Sequence, residues 1–173
     1  GYIGGRLVPE LLERGYRVRI MVRKDSVVYK EKWPTVEVVI ADALNIASIE
    51  EALEGIHTAY YFIHSLGLGY KKFEAFDLHI AKNFRTAAEM RGVKRIIYLG
   101  GLGDTNTKLS KHLDSRIQVA RELSKGKTPV TVLRAAMIIG SGSASYEILV
   151  NLVKRTPIFL IPEWGKTRCQ PIS

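Results

Sequence analysis

Apolar residues follow two different periods along the chain, and segments of the two kinds alternate. Spacings of three and four residues predict a helix after the N-terminal glycines and further helices at residues 48–54, 73–90, 110–126 and 145–154. Short β-branched or alternating runs predict strands at residues 17–22, 36–40, 58–63, 95–99 and 130–133. Strands that alternate with helices of this length form βαβ units, so we expect a parallel sheet.

Side chains that cap or interrupt helices mark several of the predicted boundaries. Ser48 and Glu51 form a capping-box pattern, and Ser110 has the position of an N-cap. Pro9 lies inside the first helical pattern, where its ring would crowd the Gly5 carbonyl. We therefore expect either a bend at Pro9 or a first-turn position for it.

The first residues, Gly1, Tyr2, Ile3 and Gly4, form a glycine-rich turn that opens directly into a helix. Such a turn normally follows a buried strand, because the strand delivers the chain to the turn and the helix packs back onto the sheet. We expect residues 1–173 to be one α/β domain, a three-layer doubly wound parallel sheet. Its first strand and a C-terminal part are expected to be missing, so that the domain is truncated at both ends.

The composition is that of a globular protein, with 46% apolar and 25% charged residues in a chain of 173. It excludes disordered, collagen-like and disulfide-scaffold proteins. The chain has 26 Lys and Arg against 17 Asp and Glu, and the net charge of +9 favours an anionic partner. Nucleic acid, acidic lipid headgroups, a phosphorylated cofactor and an ordinary solvated basic surface all remain open on charge alone.

Two features bear on the compartment. The single cysteine, Cys169, can form no internal disulfide, which favours a reducing environment. No apolar run approaches the length of about 18 residues needed to cross a bilayer, and no secretory signal pattern is visible. A soluble cytoplasmic protein is therefore expected.

In an open parallel sheet, ligands bind beyond the carboxyl ends of the strands. Gly1 and Gly4 would let a pyrophosphate approach the amides at the helix start, although two glycines three residues apart also occur by chance. About 20 residues later, where an acidic residue would hold the ribose of NAD, the chain has Arg23 and Lys24. These cations suit a 2′-phosphate and favour NADP over NAD, unless both are ordinary surface charges.

Three further strand ends offer candidate cofactor contacts. Asp42 and Ala43 can meet the adenine amine or simply begin a turn. His64 and Ser65 would lie near the middle of the cofactor, although a lone histidine is more often structural. The pair Gly100-Gly101 offers an open backbone but no catalytic hydroxyl.

His112 and Arg116 lie four residues apart on one predicted helix, so their side chains share a face. His112 can exchange a proton near neutral pH, whereas Arg116 keeps its charge and can only hold an anion or donate hydrogen bonds. The alternative is an exposed helix face without function. Arg134 and the loop at residues 141–143 either shape a substrate mouth or form a turn, and no metal site is predicted.

The order of these motifs resembles the short-chain dehydrogenase/reductase superfamily, in particular its atypical, extended-like branch with NmrA-type and nucleoside-diphosphate-sugar-epimerase-like members. Residues 1–4 look like the second half of the family's TGxxGxxG turn, and Asp42-Ala43 like its adenine-side element. Residues 83–95 look like the helix and strand entry that follow, and Leu133-Arg134 like the strand near the substrate pocket. The resemblance covers essentially the whole chain and implies a Rossmann-like fold that binds NAD(P).

The chain departs from this family at the positions of the catalytic residues. Active members place Tyr, the acid/base, four residues before Lys, which holds the ribose and lowers the Tyr pKa; the matching positions here are His112 and Arg116. The family's Ser or Thr matches Gly100-Gly101.

The resemblance implies NADP(H) binding with one of two roles. The first is oxidoreductase or sugar-nucleotide epimerase/dehydratase-like activity on an unknown small molecule, with His112 as proton donor and Arg116 as anchor. The second is a non-catalytic NADP(H)-sensing regulator or scaffold subunit that acts on a protein partner. Nucleic-acid binding is disfavoured because the chain lacks stacking motifs.

Overall fold

The computed structural model describes residues 1–24, 27–63, 73–103, 110–155 and 169–173. Within these ranges helices and strands alternate, as the apolar spacing predicts. The elements are α1 (Tyr2–Glu13), β1 (Arg19–Val22), α2 (Val27–Lys32), β2 (Glu37–Ile40), α3 (Ile46–Leu53), β3 (Thr58–Tyr61), α4 (Phe73–Met90), β4 (Arg95–Gly101), α5 (Lys111–Leu123), β5 (Val130–Ala135) and α6 (Ala144–Arg155). No helix in the described part of the chain is long and apolar enough to cross a membrane.

The paired strands run parallel and fall into two hydrogen-bonded groups. In the first group β1 pairs with β2, with Arg19 opposite Glu37. In the second group β4 lies between β3 and β5, so that Ile96 is opposite both Ala59 and Val130. Parallel strands connected through helices confirm the predicted α/β architecture.

A wide cleft separates the two groups of strands. It is lined by residues of β1 and β3, among them Ile20 and Tyr60, and by the first turns of α1. Its volume is about 3120 Å³, several times the roughly 300–1,000 Å³ of a typical small-molecule pocket. The described strands are thus β2 and β1 on one side of the cleft and β3, β4 and β5 on the other.

Each group of strands has its own hydrophobic core. The larger core lies between β3, β4 and helices α3, α4 and α5, and it is centred on aromatic rings. Tyr61 packs edge-on against Phe84 and Tyr98, with ring centroids 5.0 and 5.7 Å away. The smaller core joins α1 to the β1–β2 pair and is formed by Val8, Trp33 and Val36.

The start of α3 differs from the prediction. Its N-cap is Asn45, whose side-chain oxygen accepts hydrogen bonds from the amides of Ala47 and Ser48 at 3.1 and 3.5 Å. The Ser48 hydroxyl instead accepts from the Asp42 amide at 3.0 Å. The predicted capping box at Ser48 is therefore wrong, because an asparagine three residues earlier supplies the cap.

Two features near the N-terminus also differ from the prediction. Pro9 lies in the middle of α1, since the helix already begins at Tyr2, so the first-turn alternative is wrong and the expected bend stays a prediction. The short helix α2 was not predicted; it has 6 residues and buries none of them, so it leaves no amphipathic pattern.

Candidate cofactor site

The N-terminus of α1 faces the cleft. Gly1 is the N-cap and supplies no side-chain hydrogen bond to the first amides of the helix. A Cβ atom at Gly1, Gly4 or Gly5 would meet no other atom within 4 Å, and Tyr2 and Ile3 line the same space. Open space beside helix-start amides and the positive end of the helix dipole suits an anion such as a pyrophosphate.

The first turn of α1 is held against the loop that follows β5. The Tyr2 hydroxyl occupies the place that a Cβ atom of Gly140 would take, so the glycine lets the Tyr2 ring approach this loop closely. The guanidinium of Arg6 lies 5.5 Å from the centroid of the Tyr2 ring, and its Nη2 donates to the Ser141 carbonyl at 3.3 Å. The loop at residues 141–143 is thus a turn that buttresses the candidate anion site.

Arg23 and Lys24 follow β1 directly, and both side chains are exposed. Neither takes part in an ion pair with any residue that the structure describes. Both lie outside the lining of the cleft, at the carboxyl end of β1. Two available cations at this strand end have the chemistry that a phosphate group requires.

Asp42 and Ala43 lie at the carboxyl end of β2, where a side chain of α4 holds them. Asp42 Oδ1 accepts from the Leu44 amide at 3.0 Å, which makes an Asx turn. Asn83 Nδ2 donates to the carbonyls of Ala43 and Leu44 at 3.4 and 3.0 Å. Asn83 thus positions this turn, a role that the sequence alone did not reveal.

Gly100 and Gly101 form the end of β4, where they pair with Arg134 and Ala135 of β5, so they do not follow the strand as predicted. A Cβ atom at Gly101 would lie 2.8 Å from Leu113 Cδ2, and one at Gly100 would lie 3.2 Å from Tyr98 Cε1. These glycines therefore allow side chains to pack closely on the strand. Arg134 likewise lies within β5 and not after it.

His112 and Arg116 lie one turn apart on α5, as predicted, and both line the cleft. Ser110 caps the helix by accepting from the Leu113 amide at 3.3 Å, which confirms the predicted N-cap. His112 remains accessible to solvent. Partial burial lowers the pKa of His112, the charge of Arg116 lowers it further, and the carboxylate of Asp77 opposes both.

Arg116 connects α5 to β4. Its Nη2 donates to the Leu99 carbonyl at 3.2 Å, and its guanidinium carbon lies 5.5 Å from the centroid of the Tyr98 ring. The Tyr98 hydroxyl donates in turn to the Arg116 carbonyl at 3.2 Å. The Nη1 atom is buried without a hydrogen-bond partner among the described atoms. A buried donor gains free energy from a hydrogen-bond partner, so Nη1 is a candidate contact for an acceptor on a bound molecule.

Two buried polar residues beside this pair were not identified from the sequence. Asp77 on α4 and Ser115 on α5 are only 5% and 2% exposed, and the Ser115 hydroxyl donates to Asp77 Oδ2 at 3.4 Å. Burial, and then the charge of Asp77, raise the pKa of Tyr61 on the neighbouring strand β3. The available signal was helical spacing, which places Asp77 on the same face as the apolar Phe73 and Ile80.

The cleft brings together one part of the predicted site. Its lining includes residues 1–4, Gly100, Gly101, His112 and Arg116. The other candidate residues lie at neighbouring strand ends, and His64 and Ser65 fall outside the described residues. No cluster of metal-ligating side chains occurs in the ranges that the structure describes. The open helix-start amides, and an Arg116 nitrogen with no hydrogen-bond partner in the described part of the chain, fit an anionic dinucleotide with hydroxyl and phosphate oxygens.

Comparison with known proteins also indicates a dinucleotide-binding site. A family model described as NAD(P)H-binding matches residues 1–153. Sterol demethylase protein B of Methylococcus capsulatus is 31% identical over 107 residues, which are 60% of this chain and 32% of that protein. Dihydroflavonol 4-reductase of Callistephus chinensis is 31% identical over 121 residues, which are 62% of this chain and 33% of that protein.

Among solved structures, a nucleoside-diphosphate-sugar epimerase from Staphylococcus aureus superposes with a TM-score of 0.67 at 25% identity. The superposition covers 80% of this chain and 48% of the epimerase. The chain thus spans about a third of the length of these curated relatives and about half of the epimerase. The similarity confirms the predicted Rossmann-like fold.

Proposed function

The chain belongs to the NAD(P)H-binding family, within the atypical short-chain dehydrogenase/reductase-like fold that its motifs resemble, and we propose that it is an NADP(H)-dependent reductase of carbonyl compounds. The observation that carries this proposal is a single cleft lined both by the start of α1 and by His112 and Arg116. The start of α1 provides an anion site in this cleft, and α5 provides the titratable His112 beside the permanently charged Arg116. When bound, the dinucleotide supplies the hydride.

Four parts of the chain would hold the cofactor. The amides of residues 1–4 bind the pyrophosphate. The Nη1 atom of Arg116, buried without a partner among the described atoms, donates to a ribose or phosphate oxygen. The turn at Asp42-Ala43, held by Asn83, receives the adenine. Arg23 and Lys24 bind the 2′-phosphate, which distinguishes NADP from NAD.

His112 completes the reduction as a proton donor. As hydride adds to the carbonyl carbon, the C=O π bond breaks and the oxygen gains an electron pair. His112 donates its ring proton to this oxygen, which becomes the alcohol hydroxyl, and the imidazole then takes a proton from water. Arg116 keeps its charge throughout and acts as an anchor.

Removal of the two cations after β1 tests the cofactor assignment. The double substitution Arg23→Ala/Lys24→Ala is expected to weaken NADPH binding about tenfold or more, because charge-assisted contacts to the 2′-phosphate are lost. NADH binding should change little. The matched control is Lys94→Ala/Lys127→Ala, which removes two exposed positive charges near the amino ends of β4 and β5. Equal effects of the two double variants on NADPH affinity would contradict the assignment.

Substitution of the histidine tests the reaction. We expect His112→Ala to abolish NADPH oxidation with a reactive diketone such as diacetyl, while NADPH affinity stays close to that of the wild type. His57→Ala is the control, since His57 lies just before the amino end of β3. Unaltered turnover in His112→Ala would remove His112 from the mechanism.

One observation favours a second candidate function, an NADP(H)-sensing regulator or scaffold without turnover. At Gly101, which matches the family's hydroxyl residue, a Cβ atom would lie 2.8 Å from Leu113 Cδ2, so a hydroxyl side chain there would require Leu113 to move. A sensor would bind NADPH, fail to oxidise it with any carbonyl compound, and bind a protein partner in a cofactor-dependent manner. Turnover that depends on His112 excludes this alternative.

A further inference from the structure

We propose that Asp77 is a positioning residue for the His112–Arg116 pair, and that it acts through its charge across the interface between α4 and α5. The inference rests on the proposed function for its chemical meaning, because a proton donor matters only where a substrate takes the proton. The placement itself follows from contacts of the folded chain. Asp77 touches neither cofactor nor substrate in this account.

Helical spacing places Asp77 against the relevant face of α5. His112 lies one helical turn before both Ser115 and Arg116, three and four residues away, so it is a neighbour of each on the surface of α5. Ser115 is 2% exposed and donates its hydroxyl hydrogen to Asp77 Oδ2 at 3.4 Å. The Asp77 carboxylate therefore meets α5 at Ser115, one turn from His112 and next to Arg116 in the chain.

The charged groups around the Asp77–Ser115 contact explain how the Asp77 carboxylate acts on His112. A carboxylate that is 5% exposed is costly unless positive charge or hydrogen bonds compensate it. Among the described residues, the charged groups that act on His112 are Arg116 on its own helix and Asp77 on α4. From the strands, Tyr61 and Tyr98 face the same carboxylate, and burial raises the pKa of both hydroxyls, so neither supplies a competing negative charge.

Asp77 thus offsets the effect of Arg116 on the histidine. The guanidinium lowers the pKa of His112, whereas the carboxylate raises it. Without the carboxylate, His112 would release its proton at lower pH and would be a poorer proton donor near neutrality. With Asp77 in place, α5 can carry the permanently charged Arg116 beside His112, which must still bind a proton.

Two substitutions separate the charge of Asp77 from its hydrogen bond. Asp77→Asn removes the charge but retains an oxygen that can accept from Ser115. Ser115→Ala removes the hydrogen bond but retains the charge. The readout is the His112 titration, followed by NMR of histidine-labelled protein without cofactor and assigned with His112→Ala. We expect Asp77→Asn to move the midpoint to lower pH by about half a pH unit or more, and Ser115→Ala to leave it near the wild-type value.

Two results would overturn the proposal. The first is an unchanged His112 midpoint in Asp77→Asn. The second is an equal displacement of the midpoint in Asp77→Asn and Ser115→Ala, because packing and not charge would then be responsible. If Asp77→Asn does not fold, Asp77→Asn/Arg116→Gln is compared with Arg116→Gln, and the same difference is expected. Since the titration needs neither cofactor nor turnover, its result is independent of the reductase assignment. In an active enzyme, the pH profile of NADPH oxidation should move with the titration, roughly threefold in rate on its falling limb for half a pH unit.

Discussion

Arg116 shows how one residue can serve both the fold and the proposed chemistry. Its Nη2 atom is committed to the Leu99 carbonyl and its flat face to the Tyr98 ring, which fixes the guanidinium at the end of β4. Its Nη1 atom is left without a partner among the described atoms. The sequence predicts that Arg116 shares a face with His112, because helical spacing is local. It does not predict that Nη1 lacks a hydrogen-bond partner within the described ranges, because this depends on how α5 packs against β4.

Substitution at this arginine should weaken cofactor binding. Arg116→Gln is expected to lower NADPH affinity about tenfold, because a charge-assisted hydrogen bond is lost. Arg116→Lys keeps the charge but lacks the planar guanidinium. A lysine therefore cannot donate to the Leu99 carbonyl and to the cofactor in the way that two guanidinium nitrogens can. We expect an intermediate affinity for it in a fluorescence titration with NADPH. Wild-type affinity in Arg116→Gln would show that Nη1 does not meet the cofactor.

The rate of reduction should depend on pH through His112. Burial and the charge of Arg116 lower the pKa of His112 below its usual 6.5, so the fraction of protonated donor falls as pH rises through that lowered midpoint. Reduction of a carbonyl by NADPH is therefore expected to slow as pH rises through the midpoint, and oxidation of an alcohol by NADP⁺ should accelerate. Steady-state rates across this range measure the effect. A reduction rate that rises with pH over the same interval would be inconsistent with a His112 proton donor.

Helices α4 and α5 are also joined far from the candidate site, near their C-terminal ends. Glu122, 8% exposed in its side chain, lies 3.4 Å from Arg85 and 2.6 Å from Lys125. Glu89 pairs with the same Arg85 and accepts from the Lys127 amide at 3.0 Å. This network holds the two helices together at one end, while the Asp77–Ser115 contact joins them near the other.

Glu122 should make stability depend on pH. The hydrogen bond from Lys125 chiefly lowers the pKa of Glu122 below its usual 4.5, burial opposes this, and the charges of Lys125 and Arg85 add to the lowering. A lowered carboxyl pKa contributes stability above the unfolded value and loses it as pH falls through the folded value. We expect Glu122→Gln to cost about 1–3 kcal/mol near neutral pH and progressively less in acid. Urea unfolding at several pH values measures this, with the exposed Glu31→Gln as control; a cost that does not change with pH would refute the assignment.

The accuracy of the predicted elements follows from how local their signals are. The prediction for α4 matches its bounds of Phe73–Met90, because a long apolar face and Gly92, with its φ of 66°, mark the helix and its end. The start of α3 was misplaced because Asn45 and Ser48 are both good caps, and the choice between them depends on the neighbouring Asp42 amide. The short helix α2 has no buried face and so leaves no pattern.

At the scale of the molecule, parallel pairing is predictable but strand neighbours are not. Each crossover carries a helix, which requires parallel strands wherever two of them pair. One helix separates β3 from β4, and these strands pair; one helix also separates β2 from β3, and the structure shows no pairing between them. The cleft lies between β1 and β3, so the strand that follows α3 along the chain is not a hydrogen-bonded neighbour of the strand before it. For the same reason, the sequence could name candidate site residues but not which of them face one cavity.

The central claim is that strand ends and helix α1 around this cleft bind NADP(H) in preference to NAD(H). Calorimetric titration of the protein with NADPH and with NADH, at one salt concentration, measures this most directly. We predict that NADPH binds at least about tenfold more tightly, a difference of about 1.4 kcal/mol that contacts of Arg23 and Lys24 with the 2′-phosphate would supply. Equal affinity for the two nucleotides, or no binding of either, would contradict the account.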